Sequence, residues 1–150
     1  MRSSAILPAG TWDPATATDR VELDFDSRHR RRILLRTDAG HDVLLDLPHA
    51  ARLRHGDGLL LDEGGVVRVE ARAETLAEIH VHDAGDLLRI AWHLGNRHLP
   101  VQLLHDHIRI RADAVIEAMV AGLGGHVERI AAPFDPESGA YAHGHEHPHD

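Results

Sequence analysis

The sequence predicts an α+β protein, and three observations carry that reading. Residues 1–73 hold short apolar runs broken by glycine and proline. From residue 74 the apolar spacing switches between period two and period three to four, the mark of strands mixed with helices. The chain then closes on a polar stretch with histidine at every second position.

In the first part, Arg20–Phe25 alternates apolar and polar residues as a half-buried strand does. Ile33–Leu35, the turn signal Thr37-Asp38-Ala39-Gly40 and Val43–Leu47 read as a hairpin. Gly56-Asp57-Gly58 punctuates before the short strand Leu59–Leu61. Glu63-Gly64-Gly65 then turns into Val66–Glu70. Short strands with close turn signals suggest a small sandwich or barrel, and Pro14, Pro48 and the glycines argue against long helices.

In the second part, Leu76–His82 reads as a strand, and Asp83 caps a helix running to about Leu94. Leu87, Ile90, Ala91 and Leu94 line one face of it, and Gly95 stands where a terminating glycine belongs. Asn96 is a candidate for a left-handed turn. Leu99–Leu104 and His107–Arg111 are strands joined through His105-Asp106-His107. Asp113 caps a second helix with Ile116, Met119, Val120 and Leu123 on one face. Gly124-Gly125 ends it before a last strand at Val127 and Ile130. The order β-α-β-β-α-β is that of a ferredoxin-like domain. The expected organisation is a β domain over 1–73, a ferredoxin-like domain over 74–134 and a flexible histidine-rich tail over 135–150.

Composition narrows the function. Fifteen of 150 residues are histidine and none is cysteine, so disulfides, thiolate metal sites and cysteine nucleophiles are excluded. The net charge of −8 with neutral histidine argues against a nucleic-acid partner. Imidazoles titrate near pH ~6.5, and above that they are the free bases that bind metal. No apolar stretch is long enough for a signal peptide or a membrane span, so the expectation is a cytoplasmic protein without membrane contact. HExxH, P-loop and GxSxG motifs are absent, which points away from an enzyme.

Metal binding is the chemistry the histidines support. His143, His145, His147 and His149 alternate in the tail. Side chains two apart in an extended chain lie about 6.5–7 Å from each other on one side, within reach of one ion. Imidazole suits nickel, zinc and Cu(II), and spacing alone does not separate them. His98 falls on the loop leaving the first helix, and a two-fold axis beside it would bring two copies together. His93 reads as packing or surface. The pairs His105/His107 and His80/His82 read first as solvated side chains and second as ligands. Arg28–Arg32 reads as a solvated strand edge or an acidic-partner dock.

The stretches Trp92-His93-Leu94-Gly95-Asn96-Arg97-His98-Leu99-Pro100-Val101-Gln102 and Pro133-Phe134-Asp135-Pro136-Glu137-Ser138-Gly139-Ala140-Tyr141 resemble segments of the urease accessory protein UreE family. The resemblance covers almost the whole chain, and Gly-Asn-Arg-His is its most diagnostic part. It implies a nickel metallochaperone in which His98 is the metal ligand at a homodimer interface. By the same resemblance His145 and His147 complete the coordination, with His143 and His149 as substitutes. It further implies a peptide-binding first domain and a GTPase partner, UreG, which passes nickel to apo-urease held with other accessory proteins. A histidine pair that some members carry aligns with Ala112 and Ala114, so that site is missing here. The tail is short beside the family's longest. The expected mechanism is ligand exchange: Ni(II) held between two His98 side chains leaves as a partner replaces its ligands one at a time. The competing expectations are a general zinc, copper or nickel buffer, an interaction scaffold with incidental metal binding, and a small metal-dependent hydrolase.

Overall fold

The computed structural model describes residues 1–137 and divides after Arg72 into two compact units. The first unit is a six-stranded mixed sheet. Its strands are β1 (Arg2–Leu7), β2 (Asp19–Leu23), β3 (His29–Arg36), β4 (Asp42–Arg52), β5 (Gly58–Leu61) and β6 (Val66–Ala71). They lie in the order β2-β6-β5-β1-β4-β3.

Turn chemistry makes the two hairpins. Between β3 and β4, Gly40 takes a φ of 88°, and the Thr37 amide donates to the His41 carbonyl at 2.8 Å. Between β5 and β6, Gly64 and Gly65 both sit at positive φ. Alternation then selects the core: Val43, Leu45 and Leu47 of β4 join Leu59, Leu61, Val67 and Val69. Each fully buried aliphatic side chain contributes about 1.5–3 kcal/mol. Val21 and Leu23 of one edge strand share this core with Leu35 of the other, so the sheet curls around it. The curl is fastened where β2 meets the β3–β4 turn. The Asp38 amide donates to the Arg20 carbonyl at 2.9 Å, and the Arg20 guanidinium bonds both Asp38 and Glu70.

Three features depart from the sequence reading. β1 was not expected, because Arg2–Leu7 lacks apolar alternation; its buried residue is Ser3, whose hydroxyl donates to the Ala5 carbonyl at 3.2 Å. The pairs β1–β4 and β2–β6 are parallel, which hairpin signals do not foresee. Arg28 does not belong to a solvated edge. It is fully buried, donates to the carbonyls of Leu23 and Leu53 at 3.3 Å each, and lies 5.8 Å from the centre of the Phe25 ring. Arg30, Arg31 and Arg32 are exposed on β3 as expected.

The second unit contains β7 (Ala73–His80), α1 (Ala84–Asn96), β8 (Gln102–Leu103), β9 (Ile108–Arg111), α2 (Ala114–Gly122) and β10 (His126–Pro133). The sheet order β10-β7-β9-β8, antiparallel throughout, is the 4-1-3-2 arrangement of a ferredoxin-like domain. Asp83 accepts from the Gly85 amide and Asp113 from the amides of Val115 and Ile116, so both predicted helix caps form. Ala77, Ile79, Ile108 and Ile110 of the sheet pack against Ile90 and Leu94 of α1 and Ile116 and Val120 of α2. Residues alternating with these on β7 and β9, among them Glu78 and Arg109, therefore face away from the helices.

The strand expected over Leu99–Leu104 shortens to Gln102–Leu103, since Pro100 has no amide to pair and follows directly on the helix exit. The segment after β10 is tied down as far as it is described. Phe134 is fully buried, the Asp135 amide donates to Gln102 Oε1 at 3.1 Å, and the Glu137 amide donates to the Val101 carbonyl at 2.8 Å. Among the described residues no helix is long and apolar enough to cross a membrane.

Candidate metal centre

His98 owes its position to the way α1 ends. The helix does not stop at Gly95 but runs through Asn96, and Arg97 is its cap. The His98 amide donates to the Gly95 carbonyl at 3.0 Å and the Leu99 amide to the Leu94 carbonyl at 3.4 Å. This bond pair is a Schellman ending, which needs a left-handed residue at the position His98 occupies. His98 has a φ of 59° and is the only non-glycine at positive φ among the described residues. Leu94 and Leu99, the positions that commonly meet in this motif, both pack into the same core.

The second helix provides the comparison. α2 ends with the same bond pair, Gly124 amide to Ala121 carbonyl and Gly125 amide to Val120 carbonyl, and there the left-handed residue is Gly124 at 97°. One fold therefore solves the same problem twice, once with the residue that backbone energetics favour and once with an exposed imidazole. Asn96, the expected left-handed residue, is helical. Non-glycine residues at positive φ are uncommon, and strained ones cluster at functional sites.

His143, His145, His147 and His149 lie outside the described residues, as does the alternating tail they form. His93 is half-buried and its ring meets the Trp92 ring edge-on at 5.0 Å.

The sheet brings together histidines that the sequence set in separate pairs. Ile79 of β7 is registered against Ile108 of β9, which sets His80 beside His107 one step further on. Their rings stack at 4.7 Å with 19° between planes. His80 Nε2 lies 2.9 Å from Glu78 Oε1, and His107 Nε2 lies 3.4 Å from Glu78 Oε2. Arg109 Nε also donates to Glu78 Oε2, at 2.8 Å. The bond from His80, ahead of that from Arg109, outweighs burial and holds the Glu78 carboxyl below its usual range. His107 Nδ1 meets Asp106 Oδ1 at 2.7 Å, and this contact in turn lowers the Asp106 carboxyl. His82 sits edge-on to His126 at 4.7 Å. Sequence spacing paired His80 with His82 and His105 with His107; the cross-strand pair His80/His107 and the carboxylate of Glu78 were missed. The signal that finds them is the register of β7 against β9, which spacing within one strand does not carry.

An exposed histidine fixed at the helix exit of a ferredoxin-like domain, in a chain rich in nitrogen donors and free of cysteine, fits a metal-handling protein. Residues 74–150 match the family model described as UreE urease accessory protein, C-terminal domain, and residues 4–72 match the corresponding N-terminal domain. The chain belongs to the UreE family. It is 54% identical over 142 residues to the urease accessory protein UreE of Bradyrhizobium sp. (strain ORS 278), covering 95% of this chain and 67% of that one. It is 52% identical over 150 residues to the UreE of Rhodopseudomonas palustris (strain BisB18), covering 100% of this chain and 71% of that one. It is 49% identical to the UreE of Beijerinckia indica subsp. indica, with 100% and 86% covered.

Proposed function

We propose that this chain is a nickel metallochaperone, acting in the cytoplasm and not itself an enzyme, that carries Ni(II) to apo-urease. The observation that carries the reading is His98, an exposed imidazole held at the left-handed exit of α1 in a chain of the UreE family. A single exposed imidazole holds an ion weakly, and two of them across a homodimer axis hold it well enough to carry. His145 and His147, with His143 in reserve, complete the coordination from the tail. Nitrogen and oxygen donors without thiolate keep the ion exchangeable, so a GTPase partner of the UreG type takes it over by replacing ligands one at a time. Zn(II) and Cu(II) compete for the same donors, since affinity for such sites rises toward copper.

The homodimer has a surface to form on. Leu88 and Trp92 stand one turn apart on α1 and are 75% and 64% exposed. Large apolar side chains left adjacent in this way mark an interaction site. A second α1 covers them and sets the two His98 side chains near one axis. Trp92→Glu is expected to shift the protein to monomer in sedimentation velocity and to remove the shared ion while His98 stays in place. An unchanged dimer in that variant contradicts this assignment of the interface.

The central test is His98→Ala in the full chain. Titration calorimetry should show loss of the tight site, counted as one ion per two chains, with the far-UV circular dichroism unchanged. Urease activation in cells should fall and recover with added nickel. Deleting residues 143–150 should lower the number of ions bound and leave a weaker site at His98. Unchanged nickel stoichiometry and affinity in His98→Ala would sink the proposal.

A further inference from the structure

We propose that Glu78, His80 and His107 form a second divalent metal site in each chain, separate from His98, built for a borderline ion such as Zn(II), Ni(II) or Cu(II). Their donor atoms all lie within 4.8 Å of one another, and they are the one such group among the described residues. Metal–nitrogen and metal–oxygen bonds of about 2.0–2.2 Å put tetrahedral donors about 3.3–3.6 Å apart. The widest pair therefore closes by no more than about 1.5 Å, a side-chain rotation. Two imidazoles and a carboxylate are a set that these ions take readily.

The surroundings suit a ligand set. His107 has a carboxylate at each ring nitrogen, Asp106 at Nδ1 and Glu78 at Nε2. In the neutral form that binds metal, an imidazole carries one N–H and one ring-nitrogen lone pair. With the N–H on Nδ1 held by Asp106, the Nε2 lone pair is turned toward Glu78, and a dication between them satisfies both. A carboxylate on the far nitrogen is the outer partner that metal-bound histidines commonly have. Arg109 donates to Glu78 Oε2 and so orients the carboxylate, whose Oε1 lies beside His80 and whose Oε2 lies beside His107. The stacked rings present both Nε2 atoms to the same carboxylate.

Rigidity supports the same assignment. Glu78 and His80 are two apart on β7, Arg109 lies on β9, and His107 directly precedes β9. All four face away from the helices. The side chains of Glu78 and His107 are only 16% and 18% exposed, whereas His80 at 47% leaves an approach for the ion. A site built on neighbouring strands is held more closely than one built on loops.

The test uses the full chain in a His98→Ala background, so its outcome does not depend on the shared dimer site. Zn(II) is added, equivalents per chain are counted by equilibrium dialysis with elemental analysis, and imidazole ¹⁵N shifts are followed. The expected result is a shift at Nε2 of both His80 and His107, and one fewer zinc per chain when His107→Ala or His80→Ala is added. Glu78→Gln keeps the shape of the side chain, and it should weaken that zinc at least tenfold with the circular dichroism unchanged. In His107→Ala the shift of His80 should vanish. Unmoved His80 and His107 resonances at saturating Zn(II), or the same stoichiometry in all variants, overturns the site. Failure of nickel delivery by His98→Ala concerns the other site and leaves this result unaffected.

Discussion

Replacing His98 with glycine is expected to make the metal-free protein more stable and to abolish the proposed shared metal site. The residue stands at the left-handed position of the α1 exit, where an L-side chain costs about 1–2 kcal/mol and glycine does not. The equivalent position of α2 is already Gly124. For a domain of this size a gain of about 1 kcal/mol raises the melting temperature by about 4–8 °C. Scanning calorimetry of His98→Gly without metal should show that rise, and nickel titration should show the shared site gone. His98→Ala should lose the same proposed site without the gain, because alanine retains the Cβ that the left-handed region disfavours. A fall in melting temperature for His98→Gly would mean that His98 makes a stabilising contact and that its backbone is not strained for function. The opposite signs of the two effects separate a residue kept for chemistry from one kept for structure.

Arg28→Ala is expected to be the most damaging single change in the first domain. The guanidinium fills buried volume and donates to the carbonyls of Leu23 and Leu53 from a position with no solvent exposure. Truncation leaves a cavity and takes a donor from each carbonyl. The Leu23 carbonyl keeps the Arg72 amide at 2.8 Å, so its loss is partial. Cavity and hydrogen-bond terms together amount to about 2–4 kcal/mol. Chemical denaturation followed by Trp12 fluorescence should show that loss. Arg28→Met, which refills most of the volume without the donors, should recover about half. Were Arg28→Ala to cost no more than Arg31→Ala on exposed β3, the burial of Arg28 would have no energetic consequence.

Much of the second domain was legible because its signals are local. Asp83 and Asp113 stand before apolar periods of three and four, and both cap helices. Gly124 ends α2 as a glycine after such a period does. Gly95 carried the same signal and misled, because the residue in the left-handed conformation comes three positions later and is a histidine. A propensity reading assigns that role to glycine or asparagine, whereas here Leu94 and Leu99, on either side of the turn, both pack into the core. In the first domain the hairpin turns were readable from Gly40, Gly64 and Gly65. The parallel pairing of β1 with β4 was not, since it joins residues more than forty positions apart and leaves no mark in either strand.

The residues of the proposed metal chemistry divide the same way. The sequence by itself determined the donor inventory: fifteen imidazoles, no thiolate, His98 at a helix exit and an alternating tail. It also determined the family, through Gly-Asn-Arg-His and the run from Pro133 to Tyr141. Only the tertiary structure decided that His98 is held at a φ of 59°, that Arg28 leaves its basic run to enter the core, and that His80 meets His107 across Glu78. Composition and spacing along one strand or helix are properties of neighbouring residues and survive in the unfolded chain. Strand register, helix termination and burial depend on which distant side chains pack together, and they exist only once the two cores have formed.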